Sequence, residues 1–324
     1  MKAILCKEHG DPEVLVLEDI AEPALAKGQV RIAVRACGVN FPDVLMVAGK
    51  YQMQPTMPFA PGAELAGEVV ETAEGVTHVQ PGQRVLAMTG FGGMAEQVCV
   101  PSHQVMPIPD DMPYETAAAF MLTYGTSYHA LKQRAQLQAD ETLLVLGAAG
   151  GVGLAAVELG HLLGAKVIAA ASSAEKLEIA REYGASMSID YVSDNLKDRV
   201  RELTSGKGAD VIVDPVGGDL FDLCLRSVAW NGRILIIGFA SGTIPKIPAN
   251  LPLLKGASLV GVFWGRFAEE ETALHQQNTR DLFAWYASGD IRPKISASFA
   301  LANGADALAT LAERRATGKV VVII

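Results

Sequence analysis

Thr142-Leu-Leu-Val-Leu146-Gly147-Ala-Ala-Gly150-Gly151-Val-Gly153 is the stretch on which the reading of this chain turns. An apolar run stops at a cluster of glycines, and a segment with helical period follows from Leu154 to Leu163. Strand, glycine turn and helix is the arrangement that sets backbone N–H groups and a helix N-terminus against a pyrophosphate. In the G-x-G-x-x-G register the fingerprint is Ala148-x-Gly150-x-x-Gly153, with alanine in the first place. A tight turn in any α/β protein also uses glycine, so the motif alone is weak. The flanking strand and helix predict a dinucleotide site.

The alternation downstream agrees. Apolar, strand-like runs recur at 165–171, 186–190, 210–215, 233–239 and 258–263, and helical patterns fill 174–183, 196–203 and 219–228. Near-continuous apolar strands separated by amphipathic helices imply a doubly wound parallel sheet covered on both faces. Gly164, Gly184 and Gly206 stand where helix ends favour a residue tolerant of positive φ.

Charge chooses between the dinucleotides. An NAD site ends its second strand with Asp or Glu, which accepts from the ribose 2′-OH. Here Lys166-Val-Ile-Ala-Ala-Ala171 ends in Ser172-Ser173, with Lys176 one helical turn later and Tyr191 just after the third strand. A solvated helix face is the competing reading of Lys176. The missing acid, with Ser172 and Lys176 in its place, predicts NADPH.

Half of the 324 residues are hydrophobic and 19% are charged, enough for a sizeable core. A net charge of −9 argues against a nucleic-acid partner, which would want a basic face. No apolar run reaches the length of a membrane span, and Met1-Lys2-Ala-Ile-Leu-Cys6 reads as a short strand, not a signal peptide. Cys6, Cys37, Cys99 and Cys224 lack metal or disulfide spacing, which suggests buried thiols in a reducing cytoplasm.

Residues 1 to about 120 have another texture. Short alternating strands at 29–37, 64–72, 83–88 and 94–101 are punctuated by Pro and Gly, the pattern of an irregular β-rich domain. The stretch 114–131 reads as a helix leading into the nucleotide domain. From about Gly265 the tail has helices at 278–288 and 305–316 and a last strand at 319–324. The expected division is a β-rich domain over 1–123, completed by 265–324, and a nucleotide domain over 124–264.

Several ordered segments now carry a resemblance. They include Ala36-Cys-Gly-Val-Asn40-Phe-Pro-Asp43, Pro61-Gly-Ala-Glu64-Leu-Ala-Gly67, Tyr124-Gly-Thr126-Ser-Tyr-His-Ala-Leu131, Gly147–Gly153, Asp214-Pro-Val-Gly-Gly218, Gly238-Phe-Ala-Ser-Gly242 and Gly318-Lys-Val-Val321. In them the chain resembles the medium-chain dehydrogenase/reductase superfamily, in its zinc-free quinone oxidoreductase branch. The resemblance implies a GroES-like catalytic domain, a Rossmann-type cofactor domain and a cleft between them. Zinc alcohol dehydrogenases of that superfamily carry a ligand Cys at the position of Asn40 and a ligand His at that of Ala63. Neither an amide nor a methyl group replaces a thiolate or imidazole on zinc. His9, His78, His103, His129 and His275 are isolated from one another in sequence. No metal is expected.

Without zinc to polarise a simple ketone, the substrate must accept hydride readily. A quinone or an α,β-unsaturated carbonyl does so, because charge is delocalised onto oxygen. A hydroxyl donor near that oxygen would stabilise it. The resemblance points to Tyr51 as proton donor, with an aromatic packed beside the proline loop as the alternative. It also implies that Asn40 orients the nicotinamide end of the cofactor, that Thr126 touches it, that Phe239 and Phe263 flank it and that Trp264 lines the substrate pocket. Asp43 reads as a helix N-terminal residue. Core packing is the alternative for Trp264, and a hydroxyl bonding its own helix is the alternative for Thr126. Two other functions stay open: an enoyl- or acryloyl-thioester reductase, which would need a basic mouth the first domain does not offer, and a non-catalytic NADPH-binding protein. The apolar segment 251–263 reads as a loop and an edge strand through which two chains pair as a homodimer.

Overall fold

A computed structural model describes all 324 residues, Met1–Ile324. Up to residue 122 the chain carries strands β1 (Lys2–Leu5), β2 (Val16–Asp19), β3 (Gln29–Val39), β4 (Glu64–Thr72), β5 (Arg84–Met88), β6 (Gln97–Pro101) and β7 (Val105–Pro107). Helices α1 (Phe41–Val47) and α2 (Tyr114–Ala117) lie among them, and α3 (Thr126–His129) follows. Next come β8 (Thr142–Leu146), α4 (Gly151–Leu162), β9 (Lys166–Ala171), α5 (Ala174–Glu182), β10 (Met187–Asp190) and α6 (Leu196–Leu203). They are followed by β11 (Ala209–Asp214), α7 (Asp219–Ser227), β12 (Val228–Ile236), α8 (Asn250–Lys255), β13 (Ser258–Gly261), α9 (Trp264–Glu270) and α10 (Thr272–Ser288). The chain ends with β14 (Ile295–Ala300), α11 (Gly304–Ala312) and β15 (Lys319–Ile323).

Two compact units result: Met1–Leu122 with Pro293–Ile324, and Thr123–Arg292. The first is the GroES-like unit, a seven-stranded mixed sheet in the order β14-β15-β3-β4-β5-β7, with β6 also on β3. The alternating burial of β3 follows its two-residue side-chain period. Val30, Ile32 and Val34 pack with Leu65, Val69 and Val85. Cys37 and Val39 pack with Met46, Phe59, Leu308, Val320 and Val322. The last strand is therefore built into the first unit's core, and β15 runs antiparallel to β3.

The second unit is the Rossmann-type domain, a six-stranded parallel sheet in the order β10-β9-β8-β11-β12-β13. Strand order reverses at β8, the switch point where doubly wound sheets take their ligands. The predicted strands and helices form, most with small shifts at their ends, while the strand expected at 233–239 runs over Val228–Ile236 as β12, and Gly164, Gly184 and Gly206 have φ of 83°, 105° and 85° as their helix-end places require.

Three expectations need correction. Residues 265–292 belong to the second unit, and only 293–324 complete the first. The physical reason is that α10 is longer than its apolar period suggests and buries His275, Asn278, Thr279 and Leu282. The Asn278 and Gln133 amides exchange hydrogen bonds of 3.0 and 3.2 Å. The stretch 114–131 is not one helix: α2 and α3 are separated by a π-turn over Met121–Gly125, and a second covers Ala130–Arg134. Finally, 250–255 is a short helix, α8, ended by Gly256 at φ 58°, where a loop was expected.

Candidate cofactor and active site

The carboxyl edge of the second unit's sheet gathers most of the predicted residues. Gly147 ends β8 at φ 57°, Gly150 caps α4, and Gly150 N donates to Gly147 O at 2.9 Å. Gly153 lies so close to that turn that a Cβ there would stand 2.1 Å from Gly147 O and 2.8 Å from its carbonyl carbon. Only glycine lets α4 begin this near the strand, and the near approach keeps the amides from Gly150 to Gly153, including Gly151 and Val152, together at the helix N-terminus. Ser127 Oγ donates to Val152 O at 2.9 Å, fastening α3 to the start of α4 and setting the buried Thr126 beside this turn.

One strand further out, Ser172 and Lys176 meet as their spacing predicts. Lys176 Nζ is 3.4 Å from Ser172 Oγ, and Ser173 Oγ accepts from Lys176 N at 3.4 Å as the N-cap of α5. Tyr191 follows β10 and donates its N–H to Ala171 O at 3.1 Å, so its backbone lies beside the end of β9. These residues fit a phosphorylated ribose: a hydroxyl and an ammonium at a strand end with no carboxylate at its tip. Across the switch point, the buried Asp214 carboxylate accepts from Val216 N at 2.8 Å and Gly217 N at 2.9 Å, which shapes the turn after β11. Its burial pushes its pKa up.

The aromatic residues divide. Phe239 follows Gly238 beyond β12, half-buried, with its ring 2.9 Å from where a Cβ on Gly217 would stand. Phe263, next to the end of β13, is 69% exposed. Trp264 is only 7% exposed, and its indole fills the space over Gly125 and meets His275 edge-on, ring centroids 5.4 Å apart. It is packed into the interior of its unit. Phe263 is the residue before α9 and Trp264 opens that helix, so the two neighbours point to opposite environments.

In the first unit, Tyr51 is half-buried beside the core of Met46, Val47 and Phe59. Burial raises its phenol pKa, and the nearby Asp43 carboxyl raises it further. Asp43 caps its surroundings: one oxygen accepts from Asn40 N at 2.8 Å, the other from Gly62 N and Ala63 N, both at 3.1 Å. Burial pushes its pKa up to about 6 against the pull of these hydrogen bonds and of Lys319.

Asn40 does not have a free amide to offer a cofactor. It is 4% exposed, and Nδ2 donates to Gly38 O at 3.3 Å and Glu64 Oε2 at 3.2 Å while Oδ1 accepts from Lys319 Nζ. These hydrogen bonds hold its amide in place inside the unit. Glu64 and Lys319, which the sequence reading did not single out, hold it. A zinc ion does not fit here: the groups at hand are an amide, a methyl group, a carboxylate and a hydrogen-bonded ammonium, and no three His, Cys, Asp or Glu side chains converge.

Comparison with known proteins agrees with the fold. Residues 26–110 match the family described as alcohol dehydrogenase GroES-like domain, and residues 151–278 match the family described as zinc-binding dehydrogenase. The chain is 46% identical to a quinone oxidoreductase-like protein 2 homolog of Nematostella vectensis, over 99% of this chain and 88% of that protein. It is 37% identical to a quinone oxidoreductase of Pseudomonas aeruginosa over 99% of both. The structure of Escherichia coli quinone oxidoreductase complexed with NADPH superposes over 100% of both chains with a TM-score of 0.95 at 27% identity. The chain belongs to the medium-chain dehydrogenase/reductase superfamily, in its quinone oxidoreductase branch.

Proposed function

From this membership we propose that the protein reduces quinones or α,β-unsaturated carbonyls with NADPH and without zinc. The observation that carries the reading is the donor set around Asn40, Ala63 and Lys319, which offers no Lewis acid site for an unactivated ketone. The names of its relatives point the same way. Bound NADPH supplies the hydride. The chain's part is to bind, orient and donate a proton. Gly150, Gly151, Val152 and Gly153 receive the pyrophosphate at the start of α4, and Ser172, Lys176 and Tyr191 receive the 2′-phosphate. Phe239 and Phe263, beyond the ends of the neighbouring strands β12 and β13, suit a flat ring. The Tyr51 hydroxyl is the donor assigned to the acceptor's carbonyl oxygen. The test is turnover of an ortho-quinone and a conjugated enone with NADPH, and tight NADPH binding without turnover on either would defeat the proposal.

The cofactor assignment has its own test. Lys176→Ala is expected to weaken NADPH binding by about 1–3 kcal/mol and leave NADH nearly unchanged. Equal losses for both cofactors, measured by fluorescence titration, would remove Lys176 and Ser172 from the 2′-phosphate site.

We also propose a homodimer in the cytoplasm, where the four free thiols would stay reduced. Strand β13 is the outer strand of its sheet, and α8 just before it exposes Leu253 by 79% and Leu254 by 71%, with Trp230 exposed by 70%. An unpaired edge beside apolar side chains suits a second copy of the same edge. Light scattering should give twice the chain mass at micromolar concentration, and Leu254→Glu should shift it to the monomer. A wild-type monomer would count against the pairing.

A further inference from the structure

The GroES-like unit buries a charge that the proposed hydride transfer does not use. Lys319, at the start of β15, is 5% exposed and Glu64, at the start of β4, is 0% exposed. Lys319 Nζ donates to Val39 O at 3.2 Å, to Glu64 Oε2 at 3.2 Å and to Asn40 Oδ1. An ammonium has three hydrogens and no acceptor, and here three oxygens meet it: a main-chain carbonyl, a carboxylate and an amide. Those are hard donors of the kind that hold small cations.

The cage also organises its surroundings. Glu64 Oε1 accepts from Leu122 N at 2.9 Å, and Oε2 accepts from Asn40 as well as from Lys319. Asn40 then leads into α1, where Asp43 holds Gly62 and Ala63. One cation thus gathers the end of β3, the start of α1, the start of β4 and the last residue of the unit's long first segment. The residues beside it, Asn40 and Ala63, offer an amide and a methyl group and no thiolate or imidazole, so the family description, zinc-binding dehydrogenase, and this donor set disagree.

We propose that Lys319 is a tethered cation that takes the structural place of a metal ion: the oxygen cage is built around its ammonium, and removing the side chain leaves a site for a free ammonium or methylammonium ion. Lys319 is a positioning residue for Asn40, Glu64 and the loop that Asp43 holds. Its charge, more than its length, is what the cage requires, because stripping the cation leaves a buried carboxylate without its partner.

Thermal unfolding separates charge from packing. Lys319→Ala should melt about 10 °C or more below wild type, since breaking a buried pair costs several kcal/mol in a chain of this size. Ammonium or methylammonium chloride should then recover a large, saturable part of the loss at an ionic strength where sodium chloride does not, and tetramethylammonium, too large for the cage, should recover none. Lys319→Met fills the tether's path without the charge and should stay low in every salt. An alanine variant that responds alike to all four salts, or a methionine variant as stable as wild type, overturns the proposal. If the alanine variant does not fold, wild type still decides. With 15N-lysine, the caged ammonium protons of Lys319 should exchange slowly enough to be seen at neutral pH and vanish in Lys319→Arg, and their absence from wild type overturns it. Neither readout depends on turnover, so failure of the quinone or enone assignment leaves this test intact.

Discussion

Gly153→Ala is expected to abolish useful NADPH binding, weakening it by about 100-fold or more, and to lower the melting temperature as well. The added Cβ would stand 2.1 Å from Gly147 O, 2.8 Å from its carbonyl carbon and 3.1 Å from Ala148 Cα. All three are backbone atoms of the turn, so no side chain can swing aside. Relief requires the start of α4 to move away from β8. Overpacking of this kind costs about 1–3 kcal/mol in stability, occasionally more, and the movement displaces the amides that receive the pyrophosphate, where about 2.7 kcal/mol corresponds to 100-fold in affinity. Gly150→Ala is the control. Gly150 sits at φ −80° and ψ 171°, and its nearest obstacle is Gly147 O at 3.3 Å. That variant should keep its melting temperature and lose affinity only through the closer approach of its methyl group to the ligand. Calorimetric binding by Gly153→Ala within threefold of wild type would mean that α4 does not present the pyrophosphate site.

The contrast with the first unit shows what a chain discloses before it is folded. The glycine turn, Ser172 and Lys176 are legible because each depends on neighbours within one helical turn or one strand end, where local geometry dictates the outcome. The cage around Lys319 is not local: its partners Asn40 and Glu64 lie 279 and 255 positions away. One signal was available, a lone lysine opening the apolar strand Lys319-Val-Val-Val-Ile323. A charge at a buried strand position must be paired, but period and propensity do not say with what. The tail was misdivided for the opposite reason. His275, Asn278 and Thr279 look like the solvent face of a helix, yet all three are buried and share one stripe with Leu282 at i, i+3, i+4 and i+7, so the packed face of α10 is largely polar. Phe263 and Trp264 are adjacent in the sequence, yet the start of α9 between them turns one outward and the other against His275, a split that an apolar run does not disclose.

Tyr51→Phe is expected to lower kcat with enones by about 30- to 1000-fold, the loss of about 2–4 kcal/mol that removal of one oxyanion donor brings. The structure supplies the condition this role needs. A donor must hold its proton at working pH, and both burial and the neighbouring Asp43 carboxyl raise the phenol's pKa. The wild-type enzyme should therefore keep its enone turnover through mildly alkaline pH, with no loss from Tyr51 ionising near neutrality. The ring's other work is packing against the core cluster that includes Met46, Val47 and Phe59, which phenylalanine repeats, so the melting temperature should stay within about 1 °C. KM should move little, because the lost hydrogen bond strengthens only as charge develops on the acceptor oxygen. Quinones should suffer less, since reduction restores aromaticity and water can deliver the proton. Unchanged enone turnover in Tyr51→Phe, measured at saturating NADPH, would leave Tyr51 as a packing residue and assign the proton to solvent.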